Sequence, residues 1–407
     1  MRNILFLIFL CFLISCKQPI NQETRIKEDV TFLASDKLEG RQTGTKGEKE
    51  AASYIEKRFQ ELELTPKGTK GFLQPFTFKP KTNPHEAIKF DVNGDGTITG
   101  NNVLGFIDNK AENMVIIGAH FDHLGFGGEG SLYRDSIKEI HNGADDNASG
   151  VAILLNLAAK LKAKNTKNNY LFMAFSGEEM GLLGSNYFVK NPTVDTQKVS
   201  YMINMDMVGR LKKDSALAVY GTGTSPIFKQ TLKAHNNRFK LIQQESGVGP
   251  SDHTSFYLAD IPVLHFFTGQ HEDYHKPSDD SEKLNYEGME TISNYIFNII
   301  SDLDDNGKLT FRKTKNESEE TPRFKVGLGV IPDYMFDGIG MRIDGISEEK
   351  PAQKAGLQKG DIVIQLGDSI VVDMMSYMRA LSVFEKGNST KVVVKRGDEE
   401  VEKKIQF

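Results

Sequence analysis

The apolar residues of this chain follow two spacings, which predict where its helices and strands lie. Between Glu23 and about Leu64 they recur every three or four residues, as in helices that bury one face. Further along, continuous apolar runs alternate with helix-like segments, as strands covered on both faces would. The runs span residues 114–119, 170–175, 199–205 and 261–267.

This alternation predicts an α/β domain. Strands that alternate with helices form a mostly parallel or mixed sheet between two helix layers. The segment Phe72 to Gly105 alternates apolar and polar residues around turns, as strands at a sheet edge do, and Tyr286 to Leu303 has helical spacing. We therefore expect a three-layer α/β/α domain over residues 23–303.

The pattern changes after Leu303. Residues 304–323 are polar and charged, which is typical of a linker. Residues 324–407 then form a compact, strand-rich stretch with one short helical segment at 374–384. The C-terminal part is therefore expected to be a separate small β-rich domain.

The N-terminal segment has the features of an export signal. Arg2 precedes an apolar run from Ile4 to Ile14, which is short for a membrane-spanning helix. Residues 13–16, Leu-Ile-Ser-Cys, resemble a bacterial lipobox, which implies cleavage of residues 1–15, lipid attachment to Cys16 and a tether over residues 16–22. We expect an exported, lipid-anchored protein of the cell envelope, with an uncleaved anchor or an ordinary signal peptide as alternatives.

The amino-acid composition restricts the partners and the kinds of metal site that the chain can have. A net charge of −5 with mixed signs gives no reason to expect nucleic acid as a partner. Both cysteines, Cys11 and Cys16, lie in the first sixteen residues, so the rest of the chain can form neither an internal disulfide nor a thiolate metal site. Any metal site must use histidine and carboxylate ligands.

Such ligands follow three of the predicted strands. His120 and Asp122 come after the first strand, Glu178 and Glu179 after the second, and Asp206 after the third. The carboxyl ends of parallel strands meet at one edge of the sheet, where ligands gather. Two further polar groups have apolar neighbours along the chain, namely Asp145-Asp146 before a helix and Tyr274-His275.

These residues suit a site for two zinc ions. Imidazole and carboxylate groups bind zinc at about 2.0–2.2 Å, and one carboxylate can bridge two ions. We assign His120 and Asp206 to one ion, Glu179 and His275 to the other, and Asp145 to both. Glu178 would accept a proton from the nucleophilic water.

The ordered motifs resemble metallopeptidase family 28, the co-catalytic zinc aminopeptidases of clan MH. They are His120-Phe-Asp122, Gly143-Ala-Asp145-Asp146-Asn-Ala-Ser-Gly150, Ser176-Gly-Glu178-Glu179, Asn204-Met-Asp206-Met and Tyr274-His275 with Asp279. The resemblance implies that Asp122 orients His120, that Asp145 and Asp146 are joined by a cis peptide, and that Tyr274 stabilises the tetrahedral intermediate. Ser251-Asp-His253-Thr-Ser-Phe256 would line the site without His253 being a ligand.

The remaining histidines are weighed by their neighbours. His265 lies in an apolar run and is expected in the core. His123 and His141 flank the site and are candidates to touch a ligand or substrate. The histidines with polar neighbours are expected at the surface; these are His85, His235 and His271.

The C-terminal domain resembles a PDZ domain of the bacterial type. The resemblance rests on Lys325-Val-Gly-Leu-Gly-Val330 and on the segment from Pro351 to Gly367. It implies that a protein or peptide chain end adds as a strand, with its carboxylate held by the backbone of Gly327, Leu328 and Gly329. The alternative is a small β-rich cap that binds nothing.

The sequence thus predicts a two-zinc aminopeptidase that acts on peptides and carries a PDZ domain. Two enzymatic alternatives share the fold: a carboxypeptidase, and a glutaminyl cyclase, which uses one zinc. A third alternative is a catalytically idle surface receptor, and it predicts that ligands have been lost. The complete set of candidate ligands favours hydrolysis.

Overall fold

A computed structural model describes residues 22–80, 89–128, 130–133, 135, 137–164, 166–314, 325–333, 336, 338–347 and 350–407. The predicted signal peptide, the lipidation site Cys16 and nearly all of the tether lie outside these residues. None of the described helices is both long and apolar enough to cross a membrane.

The described part of the first domain is built on one mixed sheet. Its strand order is β1-β3-β5-β4-β6-β9-β7-β8, with β2 paired to β3. The four central strands, β5, β4, β6 and β9, run parallel, whereas β3 and β7 are antiparallel to their inner neighbours. The bounds are β1 Thr65–Pro66, β2 Leu73–Phe78, β3 Ile98–Ile107, β4 Met114–His120, β5 Asn169–Phe175, β6 Val199–Met205, β7 Ala216–Tyr220, β8 Lys240–Gln243 and β9 Val263–Phe267.

Helices cover both faces of this sheet. Along β4, Val115 and Ile117 belong to one apolar cluster and Met114 and Ile116 to another, because successive side chains point to opposite faces. The first cluster contains residues of α1, α2, α3, α5 and α7, and the second contains residues of α4 and α6. The bounds are α1 Gln22–Leu33, α2 Lys46–Glu61, α3 Gly150–Lys162, α4 Leu183–Lys190, α5 Phe228–His235, α6 His253–Tyr257 and α7 Tyr286–Leu303.

The predicted three-layer α/β/α architecture is therefore confirmed. The strand predicted over residues 199–205 and the helix predicted over residues 286–303 have these bounds in the structure. The helix predicted to follow Asp145 and Asp146 starts at Gly150. Before it, Ala144–Ser149 form a π-helical turn with non-helical torsion angles at Asp146 and Asn147.

The end of the domain differs from the predicted boundary. Residues past Leu303 remain packed on the domain: the Thr314 backbone N–H donates to the Tyr257 hydroxyl, and Arg312 N donates to Thr224 O. Leu309 is buried in the first apolar cluster. The polar composition of residues 304–323 conceals these contacts, so only residues beyond Thr314 remain candidates for a linker.

The C-terminal domain is a small β-rich unit, as expected. Its sheet has the order β10-β11-β12-β14-β15, with β13 paired to β12, and neighbouring strands are antiparallel. The bounds are β10 Val330–Pro332, β11 Met341–Ile346, α8 Pro351–Lys354, β12 Ile362–Leu366, β13 Ser369–Ile370, α9 Met374–Ser382, β14 Ser389–Arg396 and β15 Glu399–Gln406.

Candidate active site

The strand ends bring the predicted site residues together. His120 is the last residue of β4, Glu178 and Glu179 follow β5, and Asp206 follows β6. Because these strands are neighbours in the parallel part of the sheet, their carboxyl ends meet at one edge. The segment before α3 and the loop that carries His275 reach the same edge. The predicted meeting point is thus present in the structure.

One group of ligand atoms surrounds His120. Its Nε2 atom lies 3.2 Å from Asp146 Oδ1 and 3.3 Å from Asp206 Oδ1. Donor atoms of His120, Glu178 and Asp206 all lie within 4.8 Å of one another, close enough to share an ion. The side chain of His120 is 1% exposed, so water cannot easily screen these contacts.

A second group surrounds His275. Its Nε2 atom lies 3.2 Å from Asp146 Oδ2 and 3.3 Å from Glu179 Oε2. Its Nδ1 atom lies 2.8 Å from Gly130 O, which fixes the orientation of the imidazole ring. The two oxygens of the Asp146 carboxylate therefore face two different histidines.

The prediction that Asp145 occupies this bridging position is wrong. The Asp145 carboxylate accepts a hydrogen bond from Gly209 N at 2.6 Å, and its other oxygen lies 3.1 Å from His271 Nε2. Neither contact involves the two ligand groups. Asp146 lies between the groups instead, because adjacent residues of the irregular turn point in opposite directions.

The backbone of this turn also differs from the expectation. The cis peptide joins Asp146 and Asn147, one residue later than predicted. Backbone N–H groups of Asp145 and Asp146 both donate to Asp279 Oδ2, at 2.9 and 3.1 Å. The backbones of the two adjacent acids thus share one partner, Asp279, whereas their side chains contact different residues.

Glu178 and Glu179 are adjacent but have opposite pKa shifts. Burial raises the pKa of Glu178 well above its usual value, against the effect of His120 and with that of Asp206. Burial also raises the pKa of Glu179, but His275 and the hydrogen bond from His123 outweigh it and lower the pKa to about 2. Glu179 is therefore ionised, as a metal ligand must be, whereas Glu178 can carry a proton.

The two histidines respond to the carboxylates around them. Burial alone would lower the pKa of His275, yet Glu179 and Asp146 raise it to about 11. For His120, Asp206 and Glu178 likewise outweigh burial and raise the pKa well above its usual value. The site attracts positive charge strongly, and divalent cations can supply that charge in place of protons.

The resemblance implies that Asp122 orients His120, and His120 Nδ1 lies 3.3 Å from the backbone carbonyl oxygen of Asp122. The Asp122 Oδ1 atom lies 3.7 Å from His120 Nδ1 and accepts a hydrogen bond from Glu178 N at 3.1 Å. Its Oδ2 atom accepts from the Thr43 hydroxyl. Asp122 thus connects the backbone of the Glu178 segment to the His120 side.

A cleft of about 530 Å³, including the part open to solvent, lies against the ligand groups. Tyr274 lines it and stacks on His275, with ring centroids 3.8 Å apart. The apolar side chains in its lining are Met207, Pro250 and Phe267. The lining residues are Asp146, Glu178, Glu179, Asp206, Met207, Tyr220, Pro250, His265, Phe267, Gln270, Tyr274 and His275.

The structure places the other histidines. His123, a candidate to touch a ligand, is buried and its Nδ1 atom lies 2.8 Å from Glu179 Oε1. His271 is not a surface residue, since its side chain is only 8% exposed and contacts Asp145. Its polar sequence neighbours gave no sign of this. His265 is buried as expected, and it stacks on buried His253 with ring centroids 4.3 Å apart.

The loop predicted to hold a chain end, which includes Gly327, Leu328 and Gly329, also lies within the described residues. Leu328 is 1% exposed and its carbonyl accepts a hydrogen bond from Ala352 N, while Gly329 has a φ of +75° and precedes β10. A Cβ on Gly329 would lie 2.1 Å from Lys350 Cβ, so only glycine fits here. Among the described strands, β10 ends the sheet, which leaves its outer backbone edge without a strand partner.

Comparisons with known proteins agree with this picture. Residues 102–300 match the model of peptidase family M28, and residues 309–406 match a PDZ domain model. The second match starts at residue 309, within residues that pack on the first domain. The domain boundary given by sequence similarity therefore lies before the boundary given by packing.

Curated relatives share part of the chain. A probable leucine aminopeptidase of Trichophyton verrucosum is 33% identical over 173 residues, which are 40% of this chain and 44% of that protein. Aminopeptidase YwaD of Bacillus subtilis is 28% identical over 198 residues, which are 46% of this chain and 40% of that protein. The chain thus spans less than half the length of these relatives.

Solved structures share the fold. A zinc aminopeptidase from Bacillus subtilis has a TM-score of 0.53 at 17% identity, with 71% of this chain and 98% of that chain covered. A glutaminyl cyclase of Porphyromonas gingivalis has a TM-score of 0.54 at 19% identity, with 69% and 98% covered. At such identities the likeness concerns the fold alone.

Proposed function

As the chain contains a peptidase domain of family M28 and a C-terminal PDZ domain, we propose that it is an aminopeptidase that uses two zinc ions shared by Asp146. His120 and Asp206 would hold one ion, and His275 and Glu179 the other. Glu178 would act as general base. This assignment keeps every residue predicted from the sequence except Asp145.

One observation carries the proposal, namely the contacts of the Asp146 carboxylate. Each of its oxygens lies 3.2 Å from a histidine Nε2, and each histidine has a second carboxylate at 3.3 Å. Two ligand atoms of one tetrahedral zinc ion, each at about 2.0–2.2 Å, are about 3.3–3.6 Å apart. One N–H cannot serve two carboxylates well at these distances, whereas a metal ion can.

When bound, the zinc ions would lower the pKa of a water molecule and polarise the scissile carbonyl. Glu178 would take the proton of the attacking water and deliver it to the leaving amine. Its burial supports this role, because burial raises the pKa of Glu178 and makes its carboxylate a stronger proton acceptor. Tyr274, at the edge of the cleft, would donate a hydrogen bond to the developing oxyanion.

The charge of the cleft favours an aminopeptidase over a carboxypeptidase. None of its described lining residues is Lys or Arg. A carboxypeptidase needs a cation of that kind for the terminal carboxylate of its substrate. The apolar lining residues Met207 and Phe267 would contact an apolar side chain of the first residue.

The test is cleavage of one peptide in two forms. Residues 17–407, loaded with zinc, should release single residues from a peptide with a free amino end and leave its acetylated form intact, and a chelator should stop the reaction. Mass spectrometry identifies the products. Trimming from the carboxyl end, or equal cleavage of both peptides, would replace the proposal with a carboxypeptidase or endopeptidase. An idle receptor would cleave neither peptide.

For the PDZ domain we propose binding of a protein or peptide C-terminus. The edge of β10 that has no partner among the described strands, and the backbone of Gly327, Leu328 and Gly329, support this, because an extended peptide can add to such an edge. Binding of a C-terminal peptide should disappear when its carboxylate is amidated. Equal binding of both peptides would refute capture of the chain end.

For localisation we propose export and anchoring through a lipid on Cys16, which rests on the sequence of residues 1–16 alone. Metabolic labelling with palmitate should mark the wild-type protein and leave Cys16→Ser unlabelled. Labelling of both proteins would contradict the anchor.

A further inference from the structure

Arg41 is a buried cation that the proposed mechanism does not use. It lies just before α2, outside residues 102–300, and is 1% exposed. Its guanidinium donates only to backbone carbonyl groups in the described part of the chain. The acceptors are Phe121 O at 2.7 Å, Asn142 O at 2.6 Å, Gly143 O at 2.9 Å and Leu33 O.

Three of these acceptors belong to segments that carry candidate ligands. Phe121 follows His120, and Asn142 and Gly143 lie four and three residues before Asp146. The backbone of the same turn adds more links, since Arg41 O accepts from His123 N and Gly40 O accepts from Gly125 N. A Cβ on Gly40 would lie 2.5 Å from both Gly125 O and His141 O, so the turn fits closely between the two segments.

The charge of Arg41 also faces the site. Burial lowers its pKa to about 10, which Asp122, Asp146, Asp279 and Glu179 oppose, so it remains a cation at neutral pH. Burying a charge is costly unless its donors are satisfied. Here four backbone carbonyls satisfy them, in an arrangement that requires the planar fork of arginine and that lysine cannot reproduce.

We propose that Arg41 is a positioning residue, which holds the His120 segment and the Asp146 segment at the spacing that two metal ions require. This inference rests on the proposed function. Arg41 would act through the backbone and touch neither metal nor substrate. Its loss should therefore weaken metal binding as well as turnover, whereas a merely structural residue would affect stability alone.

The test compares Arg41→Lys with Arg58→Lys. Arg58 is a buried arginine of α2 whose side-chain partners, Asp29 and Glu61, belong to α1 and α2 and to neither segment that carries candidate ligands. Both variants should lower Tm. Only Arg41→Lys should weaken zinc affinity, by about 10–100-fold as for other residues that orient metal ligands. Competition with a chromogenic chelator measures this affinity, and the absorption spectrum of the cobalt-loaded protein reports the geometry.

Asp36→Ala keeps the inference testable if Arg41→Lys does not fold. Exposed Asp36 accepts a hydrogen bond from the side chain of Asn142, on the same segment, so its loss should give a smaller decrease in zinc affinity. Wild-type affinity in Arg41→Lys, or an equal decrease in Arg58→Lys, would overturn the inference. A wild-type protein that binds no metal would instead refute the proposed function.

Discussion

The two segments that carry paired acids are built differently. After β5, Glu178 and Glu179 both line the cleft. Before α3, only Asp146 does so, while Asp145 contacts Gly209 and His271 on the other side of the turn. Adjacent acids in a sequence therefore do not define a site, because the local backbone decides which of them reaches it.

The two segments also have different supports. Arg41 and Asp279 hold the backbone of the Asp146 segment. The Glu178 segment is held through Ser176, whose hydroxyl donates to Glu48 Oε1 at 3.0 Å. A buried cation supports one segment and a buried carboxyl group supports the other, so they should respond differently to mutation and to pH.

The largest effect should come from the first acid pair. Asp146→Asn should lower kcat/KM by ~10³-fold or more, because a carboxamide cannot bridge two ions as a carboxylate does. Asp145→Asn keeps an acceptor for Gly209 N and should change kcat/KM by less than ~10-fold. Steady-state kinetics on one peptide compares both variants with the wild type. An equal decrease in kcat/KM in both variants would show that Asp146 and Asp145 do not have the different roles described.

The second acid pair should separate chemistry from metal binding. Glu178→Gln should lower kcat by ~10²–10⁴-fold with both metals retained, since only proton transfer is lost. Glu179→Gln should lose metal from the His275 group. Zinc content by mass spectrometry, measured beside kcat, distinguishes the two variants. Loss of metal from Glu178→Gln would make that residue a ligand rather than a base.

The smallest effect concerns the support of the second segment. Burial raises the pKa of Glu48 from 4.5 to about 7. The folded state thus binds a proton more tightly than the unfolded state, so the stability from Glu48 is complete below pH 4.5 and decreases as the pH rises to 7. This shift corresponds to a decrease of about 3 kcal/mol in the free energy of unfolding once Glu48 is ionised in the folded state.

Glu48→Gln, which stays neutral, should remove this decrease. Urea unfolding of the metal-free protein between pH 4.5 and 8 measures it. Glu50→Gln, on the same helix but with a side chain that is 29% exposed, is the matched control. A variant with the same pH profile as the wild type would show that Glu48 is already ionised when folded.

The sequence predicted the architecture because long apolar runs leave little choice of structure. The strands end where polar residues follow, so His120, Glu178, Glu179 and Asp206 could be placed at one sheet edge in advance. Asp145 was misplaced because nothing in the residue types distinguishes it from Asp146 within an irregular turn. His271 was wrongly expected at the surface and Arg41 escaped notice, because their partners lie far away along the chain.

Anomalous diffraction at the zinc edge, from crystals of the metal-loaded protein, tests the central claim most directly. We predict two peaks, one about 2.0–2.2 Å from each carboxylate oxygen of Asp146. One peak should lie beside His120 and the other beside His275. A single peak, or peaks at Asp145 with none at Asp146, would contradict the account.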